Sequence, residues 1–328
     1  MAVRKILFSV TLIIAGLALG YILQILVNKR FPSRRKELDL FRIGLQKGVL
    51  LVIIPITILG ALWILRIDDI RVIALPGVGA LHYILGGIMA IFAARIMGLG
   101  KKETGSLFCC GFFTNIGSMG GLITYLLLGE EGYALVPVYK LFAEILYYTL
   151  GFPLAKFFSN ESGEKEPFGQ IITRVLKDKF LRVALLAIVI GGVLNFSGLQ
   201  RPLCYREVNS LLIPLGTFLM LLAIGMAMKF SSIRAFLREA GAICIIKFAL
   251  VPILLVGCAS FLGFGGIREG LLLKVVVILS FMPSAFVSLI PPSIYDLDLD
   301  LANTCWLVTT FAMVLVIPAL FYILPYLD

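Results

Sequence analysis

The residues that could do chemistry in this chain are few, and they suit binding rather than bond breaking. In TNIGSMGG (114–121), Thr114, Asn115 and Ser118 offer two hydroxyls and a carboxamide, and Gly117, Gly120 and Gly121 leave backbone amides open to a ligand. In SFMPSAFVS (280–288), Pro283 stands among Ser280, Ser284 and Ser288. Both stretches are poor helix material. Glycine weakens a helix by about 1 kcal/mol relative to alanine, and proline removes a donor and clashes with the preceding turn. Yet each lies inside a long apolar run. In hydrocarbon, broken backbone is tolerated only where it is buried in protein or lines a wet cavity.

Four ionisable residues also fall within apolar runs: His82, Lys140, Glu144 and Lys247. An intramembrane charge is costly, so each is a candidate for function. On a continuous helix Lys140 and Glu144 lie roughly 11 and 17 Å into the apolar layer and share a face. They could attract a substrate carboxylate and carry a proton, or simply neutralise each other. His82, the single histidine, suits proton coupling or a hydrogen-bonded core position. Lys247 either belongs to a cavity or pairs with Glu144. YDLDLDL, with Asp296, Asp298 and Asp300, reads as a solvated connection or, less favourably, a cation site. The six cysteines form no CxxC or Cys/His cluster and read as small hydrophobes, with no metal or cofactor expected.

The elements that must carry these residues are membrane helices. Hydrophobic residues make up 60% of the chain and charged ones 15%, with a mean hydropathy of +1.03. That composition belongs to an all-α polytopic membrane protein. Ten spans are expected, at roughly 6–27, 44–65, 72–97, 105–128, 133–157, 181–198, 208–228, 239–262, 270–293 and 301–325. The N-terminal run imitates a signal peptide but is too long for one. The net charge of +10 resides in short connections, which speaks of topology and not of nucleic acid. Lys and Arg concentrate in the odd-numbered connections, for example Lys29, Arg30, Arg34, Arg35, Lys36 and Arg42 in 28–43. This places those connections in the cytoplasm of a plasma-membrane protein and both termini outside.

A shift of 165 residues aligns the two halves. Gly60 meets Gly225, Gly98 meets Gly263, Pro153 meets Pro318, and His82 meets Lys247. The expected organisation is a first five-helix repeat (1–157), a cytoplasmic linker (158–180) and a second repeat (181–328). Five spans per half invert the second half relative to the first, a common plan among secondary transporters. The same shift sets Asn115 against Ser280 and Ser118 against Pro283. Both fourth spans of the repeats, helices 4 and 9, therefore break at matching depth. Two such breaks suggest two helices crossing at a binding site whose freed amides favour an anion.

GFFTNIGSMGG (111–121), LGTFLMLLAIGMAM (215–228) and MPSAFVSLIPPSIYDLDLDLANTCWLVTT (282–310) resemble the auxin efflux carrier family, within the bile/arsenite/riboflavin transporter superfamily. The resemblance covers nearly the whole chain. It implies a scaffold domain, a mobile domain with spans 4 and 9 crossed, elevator-type alternating access and organic anion substrates. Asn115 matches the family's crossover asparagine and Pro283 its crossover proline. The long hydrophilic central loop of many plant members is absent, which points to a short, microbial-type carrier. The sodium-coupled bile-acid branch carries a glutamate at the second crossover, and 280–288 has no acid, so sodium is the less favoured coupling ion. Scaffold-to-scaffold homodimers are common in such folds.

The expected function is a secondary carrier for a small organic anion, driven by protons or by potential. The rivals are a sodium symporter of the bile-acid type and a membrane receptor for the same ligand class. No HExxH, G-x-S-x-G or phosphate-binding loop supports an enzyme or an ATP-driven pump.

Overall fold

The computed structural model describes residues 2–65, 69–159, 177, 179–228, 230 and 233–327. The 158–180 linker therefore lies mostly outside the described residues. Among the described residues the regular structure is helical, with one isolated backbone bridge, Thr114 to Ser284. A helix satisfies its own backbone polar groups, as a membrane interior demands.

Among the described residues, seven helices are long and apolar enough to cross a membrane: Leu7–Arg30, Pro32–Trp63, Ile70–Ile96, Lys179–Phe196, Cys204–Gly225, Ile233–Phe261 and Leu299–Tyr326. They correspond to seven of the ten expected spans. The other three, at 105–128, 133–157 and 270–293, are each interrupted. The first runs as Lys101–Phe112, then a wide turn at Ile116–Gly120, then Gly121–Tyr139. That last helix is kinked at Gly129, whose φ of 72° favours glycine. The expected 129–132 connection is this kink. A turn at 140–142 separates Tyr139 from Ala143–Leu146 and Phe152–Phe157. The third interrupted span is Leu271–Ser280, an extended break, Phe286–Leu289 and Ile290–Ile294.

Proline explains the wide turns elsewhere. Val49–Ile53, Tyr147–Gly151 and Ile246–Leu250 each precede a proline by one residue, at Pro55, Pro153 and Pro252. In each, the residue after the turn reaches back five positions: Ile54 to Val49, Phe152 to Tyr147, Val251 to Ile246. Proline cannot donate to the carbonyl four residues before it and crowds that carbonyl, so the turn widens by one residue. The third wide turn carries Lys247.

The chain divides into two compact units, each drawing on both halves of the sequence. One comprises Met1–Arg66, Gly121–Pro137 and Asp178–Met228. In it the first helix packs on Cys204–Gly225 through glycines. A methyl group on Gly20 would lie 2.2 Å from the Leu222 carbonyl oxygen, and one on Gly225 would lie 2.3 Å from that of Leu17. Small residues let membrane helices approach this closely. Asn195 Nδ2 reaches the carbonyls of Leu62, Trp63 and Leu65 around the end of Ile54–Trp63, where intrahelical donors run out. Arg201 makes a two-pronged bond to Glu130, at 3.2 and 2.6 Å, and donates to the Gly60 carbonyl at 2.8 Å.

The other unit comprises Ile67–Gly120, Val138–Lys177 and Lys229–Asp328. Leu75–Ile96 and Lys101–Phe112 meet where Gly86 faces Gly111. Tyr83, Phe112, Phe113 and Tyr147 pack ring against ring beside them. This unit contains both broken helices up to Gly120 and the whole of 271–294.

Candidate functional site

The first broken helix ends at Phe112, and the chain turns extended at Phe113, with φ −77° and ψ 118°. The second ends at Ser280 and is extended by Ala285, with φ −78° and ψ 154°. The two extended stretches cross as an antiparallel pair. Asn115 N donates to Pro283 O and Ala285 N donates to Phe113 O, both at 2.9 Å. Thr114 and Ser284 sit opposite each other. Each break thus supplies the backbone partners that the other lacks, which is what buried, non-helical backbone requires.

The expected crossing of the two breaks is present, with Asn115 against Pro283. Gly98 and Gly263, which a shift of 165 residues aligns, both have a positive φ. The first half then turns within 97–100, whereas the second uses the longer stretch 262–270.

Side chains finish the pairing. Ser284 Oγ donates to Cys110 O at 2.7 Å, taking the carbonyl that the Thr114 amide would bind in an unbroken helix. Ser284 N donates to Thr309 Oγ1 at 3.3 Å. Asn115 Oδ1 accepts from Ser118 Oγ at 2.6 Å and lies 3.5 Å from Met119 N, so the carboxamide caps the second half-helix. Ser280 Oγ donates to Val277 O within its own helix. Ser280 and Ser284 are fully buried, and Asn115 is 8% exposed.

Immediately past the crossing, burial falls. Gly117 and Ser118 in one half-helix, and Phe286 and Val287 in the other, are half-buried. The leading amides of a helix have no intrahelical acceptor and carry its positive end. The Lys140 ammonium joins them, since a methyl group on Gly117 would lie 3.5 Å from Lys140 Nζ. Gly120 packs against Leu279 and Met282, and Gly121 against the ring of Tyr133 in the other unit's own fold.

His82 and Lys247, both 0% exposed, converge on Thr114. Lys247 Nζ donates to Thr114 Oγ1 at 2.5 Å, and His82 Nε2 lies 3.5 Å from the same oxygen. His82 Nδ1 is 3.0 Å from the Tyr139 hydroxyl. Two residues that the sequence pairs by position therefore meet at one hydroxyl of the crossing. Lys140 and Glu144 do not share a helix face as expected, because the turn at 140–142 interrupts the helix between them. Glu144 instead lies within electrostatic reach of Tyr83 and Tyr147.

Two of the aspartates of YDLDLDL have ordinary duties. Asp296 pairs with Lys102, and Asp298 caps the last long helix by accepting from Leu301 N at 2.9 Å. No cluster of possible metal ligands occurs among the described residues. Tyr139 and Thr309 escaped the sequence argument. Each is a polar residue in an apolar run, and only its partner across the bundle gives it a role.

Similarity to known proteins adds the family. The chain is 23% identical over 275 residues to an "Uncharacterized transporter" of Methanothermobacter thermautotrophicus, covering 84% of this chain and 86% of that protein. A family model described as "Membrane transport protein" matches residues 42–323. With its crossed, broken helices in an all-helical multi-pass membrane chain, the protein belongs to this membrane transport protein family, that of the auxin efflux carriers.

Proposed function

We propose that the protein is a secondary carrier for a small organic anion of the carboxylate class. One observation carries this reading: the half-buried leading residues of both second half-helices lie just past the crossing, with the Lys140 ammonium beside Gly117. Two positive helix ends and one cation make a place for negative charge. Asn115, Gly117, Ser118 and Lys140 are the binding groups, and Gly120 lets the half-helix pack against Leu279 and Met282. Thr114, Pro283 and Ser284 hold the crossing, and Ser280 supports it from behind.

The unit containing the crossing is the mobile body, and the unit holding Glu130 and Arg201 is the scaffold. The division of the chain into those two units supports an elevator-type cycle. The carrier sits in the plasma membrane with both termini outside. Protons or the membrane potential drive it.

Ligand-dependent melting of the purified protein tests the reading. Malonate, malate or indole-3-acetate should raise the melting temperature saturably, and amines of similar size should not. Stabilisation by amines alone would reverse the assigned charge of the substrate.

A further inference from the structure

Among the described residues, the crossing is backed by two basic side chains with no acidic partner. His82 and Lys247 are fully buried on different helices, and none of the described ion pairs includes either. Thr114 Oγ1 has two lone pairs and one proton. Lys247 Nζ donates to it at 2.5 Å, His82 Nε2 stands at 3.5 Å, and Phe112 O stands at 3.5 Å as the acceptor of its proton. On its other side, His82 Nδ1 faces the Tyr139 hydroxyl. Both neighbours of the ring are hydroxyls, and a hydroxyl either donates or accepts by rotating. A neutral His82 uses Thr114 or Tyr139 as a donor. A protonated one donates to both oxygens without moving a heavy atom. The pocket is built for either state.

We infer that His82 is the proton-loading site of this carrier and Lys247 the basic neighbour that keeps it neutral until an anion arrives, so that a carboxylate at the crossing brings one proton onto His82. The inference rests on the anion reading above. Without an anion, a charge on His82 faces the Lys247 ammonium across a single hydroxyl, in a medium that screens poorly. An anion just past Asn115 attracts both cations and offsets that repulsion. The proton comes from solvent, and no electron moves. The other titratable groups around the ring are few. Tyr83 stacks beside it with centroids 5.8 Å apart, and Tyr147 lies behind Tyr83. Glu144 acts on those two phenols. Lys140 follows Tyr139 in the chain, and the Cys109 and Cys110 thiols are buried on the helix packed against that of His82.

The test is binding of labelled malonate, malate or indole-3-acetate to the full-length protein at pH 7–9. Proton uptake is read in weak buffer with an indicator dye. Carboxylates are fully ionised in this range. In wild type, Kd should weaken by about tenfold per pH unit on the alkaline limb, with one proton taken up per ligand bound. His82→Gln should bind at every pH with the weak affinity that wild type shows at the alkaline limit, and take up no proton. Tyr139→Phe should move the pH midpoint and keep the slope. Binding by wild type without proton uptake overturns the inference, as does unchanged uptake in His82→Gln. Loss of uptake in Lys247→Gln but not in His82→Gln would also overturn it, by naming Lys247 as the proton carrier. Should His82→Gln fail to fold, the wild-type stoichiometry and Tyr139→Phe still decide. Failure of every carboxylate to bind would instead defeat the anion reading.

Discussion

Lys247 Nζ donates to Thr114 Oγ1, so a fully buried ammonium is fastened to the hydroxyl at the centre of the helix crossing. Burying a basic group without an acidic partner costs stability, and an apolar residue of similar volume avoids that cost. Lys247→Met should therefore melt at the same temperature as wild type or higher, while carboxylate uptake falls at least about tenfold. A marked loss of stability would mean that Lys247 is a structural brace.

Ser284 substitutes for a missing helix bond. Ser284→Ala leaves the buried Cys110 carbonyl without its 2.7 Å donor. An unsatisfied buried acceptor costs about 1–3 kcal/mol. The variant should melt lower, whereas Ser280→Ala, which gives up only a bond within its own helix, should change less. Thermal melts of the two purified variants compare them directly.

Close helix packing makes a sharper contrast. A methyl group at Gly86 would stand 2.2 Å from the Gly111 carbonyl oxygen. Overpacking of this kind costs about 1–3 kcal/mol. Gly86→Ala should destabilise the protein. Gly257→Ala, with open space around its position, should be neutral or slightly stabilising.

The Glu130–Arg201 pair has side chains only 13% and 10% exposed. Removing one partner of a buried pair leaves a lone charge and costs about 3–5 kcal/mol. Glu130→Gln should lower the melting temperature strongly, and Glu130→Gln with Arg201→Met should recover part of the loss. With Arg201→Met alone completing the cycle, losses of the two single variants that simply add in the double variant would show that the pair contributes no coupling.

The spans were legible because a membrane helix announces itself by length and hydropathy. The two breaks were legible because glycine, asparagine and proline are out of place there. The pairing of Asn115 with Pro283 and of Phe113 with Ala285 was not, because it is a contact between segments far apart in the chain. Lys140 and Glu144 were set on one face by a helical period that the turn at 140–142 does not keep. The meeting of His82, Lys247 and Tyr139 around Thr114 is a contact between four segments, and no periodicity within one segment records it.

The most direct measurement is counterflow of labelled malonate, malate or indole-3-acetate into liposomes holding the purified protein, with Asn115→Ala alongside. Asn115 caps the half-helix through Ser118 and pairs with Pro283 through its amide, so the variant loses the cap and keeps the crossing. Wild type should show saturable exchange of at least one acid. Asn115→Ala should lose about tenfold or more in rate while its melting temperature falls by only the few degrees that one lost cap implies. Equal exchange by a folded Asn115→Ala, or no saturable exchange of any acid by wild type, would contradict an anion site at the crossing.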